Sequence, residues 1–252
     1  MAVEFFAVCE NIRLIFYKEV MYKMDILVKV NWYMLLCIFI SISIWWMLLR
    51  DRLGIKWYQA ILLGAVETFF GAVAAKVLAL AESGFNLALS ANVRWYGAVW
   101  ILPLVAYIAA RILKKKAAPF IDATAVVAAI ALICVRVFCI MDGCCGGLPI
   151  VRGREMTWPL REIEMIYCAA FILIYWKQVY TGQSFGQIYP MYMISYGVVR
   201  FIIEWLRDEF TGSIGIIHLA HIWSVITIVI GAAIYFELRE KQKKKSKRRT
   251  RK

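Results

Sequence analysis

Two short stretches hold residue types that long apolar segments rarely tolerate. In "YGVVRFIIEWLRD", Tyr196, Arg200, Glu204 and Arg207 stand at i, i+4, i+8 and i+11. At helical pitch they fall within roughly an 80° arc. One stripe therefore carries a phenol, two guanidiniums and a carboxylate, with Arg200 and Glu204 spaced to pair. In "RVFCIMDGCCGG", Arg136 sits near the end of another apolar run. Its own helix offers no carboxylate at i+3 or i+4, where Cys139 and Ile140 stand. Its partner must come from another helix or from a bound anion. An arginine deep in a membrane span costs about 2.5–3.5 kcal/mol on insertion scales, so such residues are functional by default. An internal ion pair that only glues helices is the plain alternative. It accounts for Arg200 with Glu204 but not for Arg207 or Tyr196.

Other polar groups reach the same level. "WPLREIEMIY" brings Arg161, Glu162 and Glu164, and "NVRWYGAVW" brings Arg94, Tyr96 and Gly97. Arginines that converge repel one another unless an anion belongs between them, and the planar guanidinium fork suits phosphate. At that depth the anion expected is a phospholipid headgroup phosphate. Asp142 and Gly143 open a glycine-rich exit whose backbone amides can also face an anion. A simple turn explains those glycines equally well.

The elements that must position these residues are membrane helices. Of 252 residues, 63% are hydrophobic, against about half in soluble domains. The expected fold is all-α and polytopic, with about seven transmembrane helices around a cavity open to the outer leaflet. The spans read as 31–49, 57–81, 93–113, 120–141, 162–179, 187–206 and 217–237. Residues 1–30 read as an N-terminal segment compatible with an interfacial helix and without a cleavable signal pattern. Residues 31–238 form the seven-helix domain, and 239–252 a basic cytoplasmic tail.

The formal net charge is +13. It is concentrated in "EKQKKKSKRRTRK", beside a span, which argues for anionic lipid rather than nucleic acid as the partner. "RDRLGIK" and "RILKKKAAP" are basic too, while "ESGFNLALSAN" has no Lys or Arg. Alternation of these loops places the N-terminus outside and the C-terminus in the cytoplasm. Arg152 and Arg154 then lie outside, against the trend. Seven cysteines, an odd number and mostly in apolar runs, do not make a secreted disulfide framework. None has a nearby histidine, so no metal site is expected.

The order of these pieces resembles the prolipoprotein diacylglyceryl transferase family over residues 30 to 238. "YGVVRFIIEWLRD" is similar to the family's Tyr-x-x-x-Arg-Phe-x-x-Glu-x-x-Arg helix, the most specific match. "RVFCIMDGCCGG" resembles its signature turn, "RWYGAVW" its aromatic-Gly segment, and "WPLREIEMIY" its Pro-x-Gln-Leu-x-Glu segment, with Glu164 at the Glu. "LAHIWSVITIVIG" resembles the start of its last helix, with Ser224 retained and His221 at the Gln position. The sequence departs from the pattern at Tyr96 (family His), at Phe138 and Cys139 (family Gly-Asn) and at Arg161 (family Gln).

The resemblance implies transfer of a diacylglyceryl group from phosphatidylglycerol to the lipobox cysteine of a preprolipoprotein signal peptide, with glycerol phosphate released. It implies the plasma membrane of a bacterium, and no cofactor is expected. Arg136 and Arg200 would bind and stabilise the phosphate, Glu204 would orient Arg200, and Tyr96 stands where the proton-transfer residue belongs. Arg207, Arg161, Tyr196, Gly97, Asp142, Gly143, Glu164, His221 and Ser224 would line the substrate site. The acceptor brings its own thiol, so Cys139, Cys144 and Cys145 are not needed as nucleophiles. The alternatives are a non-catalytic relative that binds anionic phospholipid or peptide, a different lipid-headgroup transferase, and an anion transporter.

The alternating basic loops generate a test. In a cysteine-free background, a cysteine at Ser83 should react with a membrane-impermeant thiol reagent in intact cells, and one at Ser246 should not. The reverse labelling pattern would overturn the orientation.

Overall fold

The computed structural model describes residues 32–85, 94–144, 146–150, 157–181, 186–207, 213–214 and 217–249. The N-terminal segment 1–30, Cys145, Arg152 and Arg154 lie outside the described residues. Seven long helices appear among the described residues: α1 (Trp32–Leu53), α2 (Trp57–Glu82), α3 (Trp95–Ile112), α4 (Ala117–Met141), α5 (Leu160–Tyr180), α6 (Ile188–Glu204) and α7 (Leu219–Arg249). They follow the apolar runs to within a few residues. The largest difference is α7, which continues as helix through most of the basic run. One departure from an all-helical chain is a two-residue antiparallel pair, β1 (Ser213–Ile214) with β2 (Ile217–His218), just before α7.

α1, α2, α3, α4 and α7 are each long and apolar enough to cross a membrane, and the chain is a multi-pass membrane protein. α5 and α6 are different in kind. α5 carries Arg161, Glu162, Glu164 and Lys177, and α6 has only 17 residues, with Arg200 and Glu204 among them. Their charges must be satisfied by neighbours.

α4 is the hub. It packs against α1, α3, α5 and α6. Apart from Asp122 and Thr124, its sequence "DATAVVAAIAL" is small and apolar all round, as expected of a helix surrounded by other helices. Residues Ala123 to Ala129 are fully buried. Gly97 at the start of α3 serves close packing: a Cβ there would strike the backbone of Ala74 on α2.

The ends of the bundle differ in charge. Arg52 at the end of α1 lies over the Tyr180 ring at the end of α5, 5.4 Å from its centroid, and Gln187 Nε2 donates to Gln242 Oε1 of α7 at 2.9 Å. That end also carries Arg50, Lys56, Arg111 and Lys114–Lys116. At the other end, the backbone N–H of Leu148 in the α4–α5 connection donates to the carbonyl of Leu206 after α6 at 2.8 Å.

α6 begins on a cap supplied by another helix. Asp122 of α4, fully buried, accepts from the backbone N–H groups of Gly186 (2.6 Å), Ile188 (2.8 Å) and Tyr189 (3.3 Å). Two orphan amides of the first turn, the amide of Gly186 just before it, and the positive end of the helix dipole meet one carboxylate. Asp122→Ala should destabilise the bundle by about 2 kcal/mol, with Asp122→Asn intermediate. Thermal unfolding in detergent, followed by tryptophan fluorescence, reads this. An unchanged melting temperature in Asp122→Ala would mean the α6 amides find other acceptors.

Candidate functional site

Arg136 near the end of α4 pairs through Nε with Glu164 Oε2 in the second turn of α5. The other oxygen, Glu164 Oε1, accepts from Arg200 Nη1 of α6 at 2.7 Å. Arg200 Nη2 reaches Glu204 Oε2 one turn on, at 3.1 Å. Glu204 in turn lies 3.7 Å from Arg207 Nη1. His218 Nδ1 stands 3.9 Å from Glu204 Oε1. The result is an alternating chain, Arg136–Glu164–Arg200–Glu204–Arg207, that ties three helices together. Arg136 and Arg200 are each 6% exposed and both glutamates 1%. Three guanidiniums face two carboxylates, so a buried site keeps one positive charge in excess.

Tyrosines close the neighbouring side. The rings of Tyr96 on α3 and Tyr196 on α6 are 5.8 Å apart, and Tyr192 stacks on Tyr196 at 5.7 Å. Tyr96 OH lies 2.6 Å from Ser224 Oγ of α7, and Ser224 Oγ donates to the Ala220 carbonyl at 2.8 Å. The phenol of Tyr196 is buried and has no hydrogen-bond partner among the described residues.

These groups open onto a cavity of about 370 Å³. Its polar end carries Arg136, Arg200, Arg207, Tyr96, Tyr196 and Asp142. Its other end is walled by Ile38, Ile42, Leu102, Ala131 and Leu132. A guanidinium-rich end and a hydrocarbon end in one cavity suit an anionic amphiphile.

The remaining sequence expectations fall into two groups. Asp142 lines the cavity, and Gly143 makes the turn with φ +66, beside open space. Arg161 is turned to structure: its Nη1 donates to the carbonyls of Cys139 (3.3 Å) and Cys144 (3.1 Å), fastening the glycine-rich exit to α5. Gly97 is a packing position, as above. His221 accepts from the backbone N–H of His218 at 3.2 Å and packs between Phe201 and Trp205. The cysteines within the described residues are free thiols, and no cluster there could hold a metal ion. Cys139 Sγ receives Arg136 Nη1 at 3.8 Å.

Sequence reasoning passed over several polar residues of the cavity. Glu67 lies in the middle of α2, buried and lining the cavity. Lys76 lines it further along the same helix, and Glu82 joins Arg94 Nε (2.5 Å) and Trp223 Nε1 (2.6 Å) at its mouth. The signal was present: Glu67 and Lys76 interrupt "GAVETFFGAVAAKVLAL" as Arg136 interrupts its run.

Fold and site together define a multi-pass membrane protein with an internal cavity lined by arginines at one end and apolar side chains at the other. A family model described as prolipoprotein diacylglyceryl transferase matches residues 20–237. The chain belongs to that family. It is similar to the phosphatidylglycerol–prolipoprotein diacylglyceryl transferase of Clostridium tetani (strain Massachusetts / E88), 29% identical over 115 residues that cover 40% of this chain and 45% of the relative. It is also similar to phosphatidylglycerol–prolipoprotein diacylglyceryl transferase 2 of Clostridium perfringens (strain 13 / Type A), 25% identical over 117 residues, 40% of this chain and 44% of the relative. The match thus spans slightly under half the length of these curated relatives.

Glu164 holds two arginines at once, so its loss should exceed that of an ordinary ion pair. Glu164→Gln should destabilise the protein by about 3–5 kcal/mol, the range for leaving a buried charge without its partner. Added anionic phospholipid should recover part of the melting temperature, because a phosphate can take the place of the carboxylate. Wild-type melting in Glu164→Gln, with no response to lipid, would show that the arginines are satisfied elsewhere.

Proposed function

We propose that the protein transfers the diacylglyceryl group of phosphatidylglycerol to the thiol of a lipobox cysteine in a preprolipoprotein. The observation that carries this reading is the buried chain of three arginines and two glutamates at one end of a cavity that is walled elsewhere by Ile38, Ile42, Leu102, Ala131 and Leu132. In the reaction the acceptor sulfur attacks the glyceryl carbon. A C–S bond forms, the C–O bond to phosphate breaks, and its electrons leave with glycerol phosphate; the thiol proton is lost to water as the sulfur adds, so the monoester departs as a dianion. The phosphate passes from a singly charged diester toward a doubly charged monoester. Guanidiniums aimed at that developing charge lower the barrier. Arg136 and Arg200 take this role, with Glu164 and Glu204 fixing their planes. Arg207 and the free phenol of Tyr196 complete the polar end, and Asp142 stands at its exit.

The orientation proposed for the bundle follows the charged ends described above. The end bearing Arg50, Arg52, Lys56, Arg111, Lys114–Lys116 and Lys241 faces the cytoplasm. The cavity's polar end then faces the outer side of a bacterial plasma membrane, where the signal peptide's cysteine emerges.

One observation favours the second reading, a relative that binds anionic phospholipid or peptide without transfer. Tyr96 stands at the family's histidine position, and its hydroxyl is engaged by Ser224. A single assay separates the two: purified protein, labelled phosphatidylglycerol and a lipobox peptide, read by mass spectrometry. The peptide should gain the mass of one diacylglyceryl group. Arg200→Ala should reduce transfer by about 10- to 150-fold, the equivalent of roughly 1.5–3 kcal/mol for one charged hydrogen-bond partner, while remaining folded. Arg200→Lys should also be impaired, because an ammonium lacks the planar fork. Bound lipid with no peptide mass gain would favour the binding reading. Full turnover in Arg200→Ala would leave the ion-pair chain a structural device.

A further inference from the structure

Glu67 has no part in the reaction proposed above, yet a carboxyl deep in a membrane helix is an expensive group to keep. It is 1% exposed and lines the apolar end of the cavity. Its two oxygens are held by neutral donors on two other helices, Trp46 Nε1 of α1 at 2.7 Å and Thr124 Oγ1 of α4 at 2.9 Å. Trp46 and Thr124 are themselves fully buried. The three side chains thus form a polar plug across α1, α2 and α4. Thr124 precedes Arg136 on α4 by twelve residues, so the plug lies about 18 Å below the guanidinium level.

We infer that the Trp46–Glu67–Thr124 plug is the floor of an acyl-chain slot and sets the length of hydrocarbon chain that the cavity accepts. The inference rests on an anionic phospholipid occupying the cavity, and names a specificity device for it. With phosphate fixed at Arg136 and Arg200, a chain descends between Ile42, Leu102 and Leu132 until it meets the plug. Each methylene buried on the way raises occupancy about fourfold. A chain that reaches Glu67 gains nothing further, because the carboxyl is already bonded and the side chains behind it are close-packed. Longer chains must buckle or break hydrogen bonds that hold three helices.

The device can be moved in both directions. Gly71 lies on the same wall one turn nearer the arginines. A Cβ there meets Leu102 Cδ2 at 3.6 Å and Ala98 Cβ at 3.9 Å, ordinary contact distances. Gly71→Leu should therefore raise the floor, and Glu67→Ala should lower it.

The test offers the full-length protein equimolar mixtures of phosphatidylglycerols that each carry two identical saturated chains, over a series of lengths. Two readouts are taken: the chain distribution on the lipobox peptide, and the distribution of phosphatidylglycerol retained by the protein in native mass spectrometry. The wild type should show a cut-off at long chains. Glu67→Ala should move it to longer chains and Gly71→Leu to shorter ones, each by about two methylenes. Ala72→Leu, on the same cavity wall, replaces Gly71→Leu should that protein not fold. A lower yield with the same chain distribution in all variants would make Glu67 only a clasp between helices and overturn the inference. Absence of peptide mass gain at every length would count against the transferase reading instead, and the retained lipids would still read the floor.

Discussion

The structure depends on one carboxylate shared by two arginines. Glu164 reaches Arg136 on α4 with one oxygen and Arg200 on α6 with the other. Neither α5 nor α6 has the composition of a self-sufficient membrane helix, and α4 carries an arginine where its run should be apolar. Each of the three is costly alone. Docked together, their charges cancel at short range in a medium where unpaired charge is heavily penalised. The ion-pair chain thus helps to assemble this part of the bundle, and it is also the centre of the proposed site. Replacing such a chain by apolar side chains is often neutral or stabilising in other proteins. Stability alone therefore does not account for such a chain, whereas the proposed need for guanidiniums beside the cavity would.

The rest of the fold holds that chain in place. α4 can lie at the centre because its residues are small, so α1 and α3 approach closely. Gly97 brings α3 against α2, which carries Tyr96 to within ring contact of Tyr196. Asp122 starts α6 at a fixed point on α4, and three and a half turns later α6 delivers Arg200. Two constraints on opposite ends of the same helix pair, a cap and an ion pair, set both the position and the rotation of α6 against α4.

The spans were legible because hydrophobic runs of helical length have few other uses. The arginines were legible for the opposite reason, since each broke such a run. Along α6 the stripe of Tyr196, Arg200, Glu204 and Arg207 could be read outright, because i, i+4 neighbours are fixed by helical pitch. The partner of Arg136 could be limited to another helix or a lipid phosphate but not identified, because pairing between helices leaves no spacing in one sequence. Glu164 was therefore expected at the substrate site without its partners, and the structure shows it bridging Arg136 and Arg200. Arg161 carried the same ambiguity and faces backbone carbonyls. Glu67 and Asp122 were missed although each interrupts an apolar run, where a carboxylate costs about as much as an arginine.

The charge balance of the site bears on the direction of the proposed reaction. Within the buried ion-pair chain, three guanidiniums less two carboxylates leave one positive charge, which matches a phosphodiester, while Asp142 stands at the exposed exit. The released monoester carries a second negative charge that this balance does not cover. Arg136 and Arg200 have N–H donors left for a phosphate while they hold Glu164, but their positive charge is shared between the two anions, so the departing phosphate competes electrostatically with the ion pair that positions the arginines. The competition has a useful asymmetry. During bond breaking the phosphate is close and the charge is developing, so the arginines gain most there. Once the bond is broken, the surplus negative charge in a buried site opposes retention, and Glu164 is at hand to reclaim both arginines. A cluster with three arginines and no glutamates would bind both diester and monoester more tightly and release the product more slowly. The two buried carboxylates are, on this view, what keeps a strongly cationic site from becoming a trap for its own leaving group.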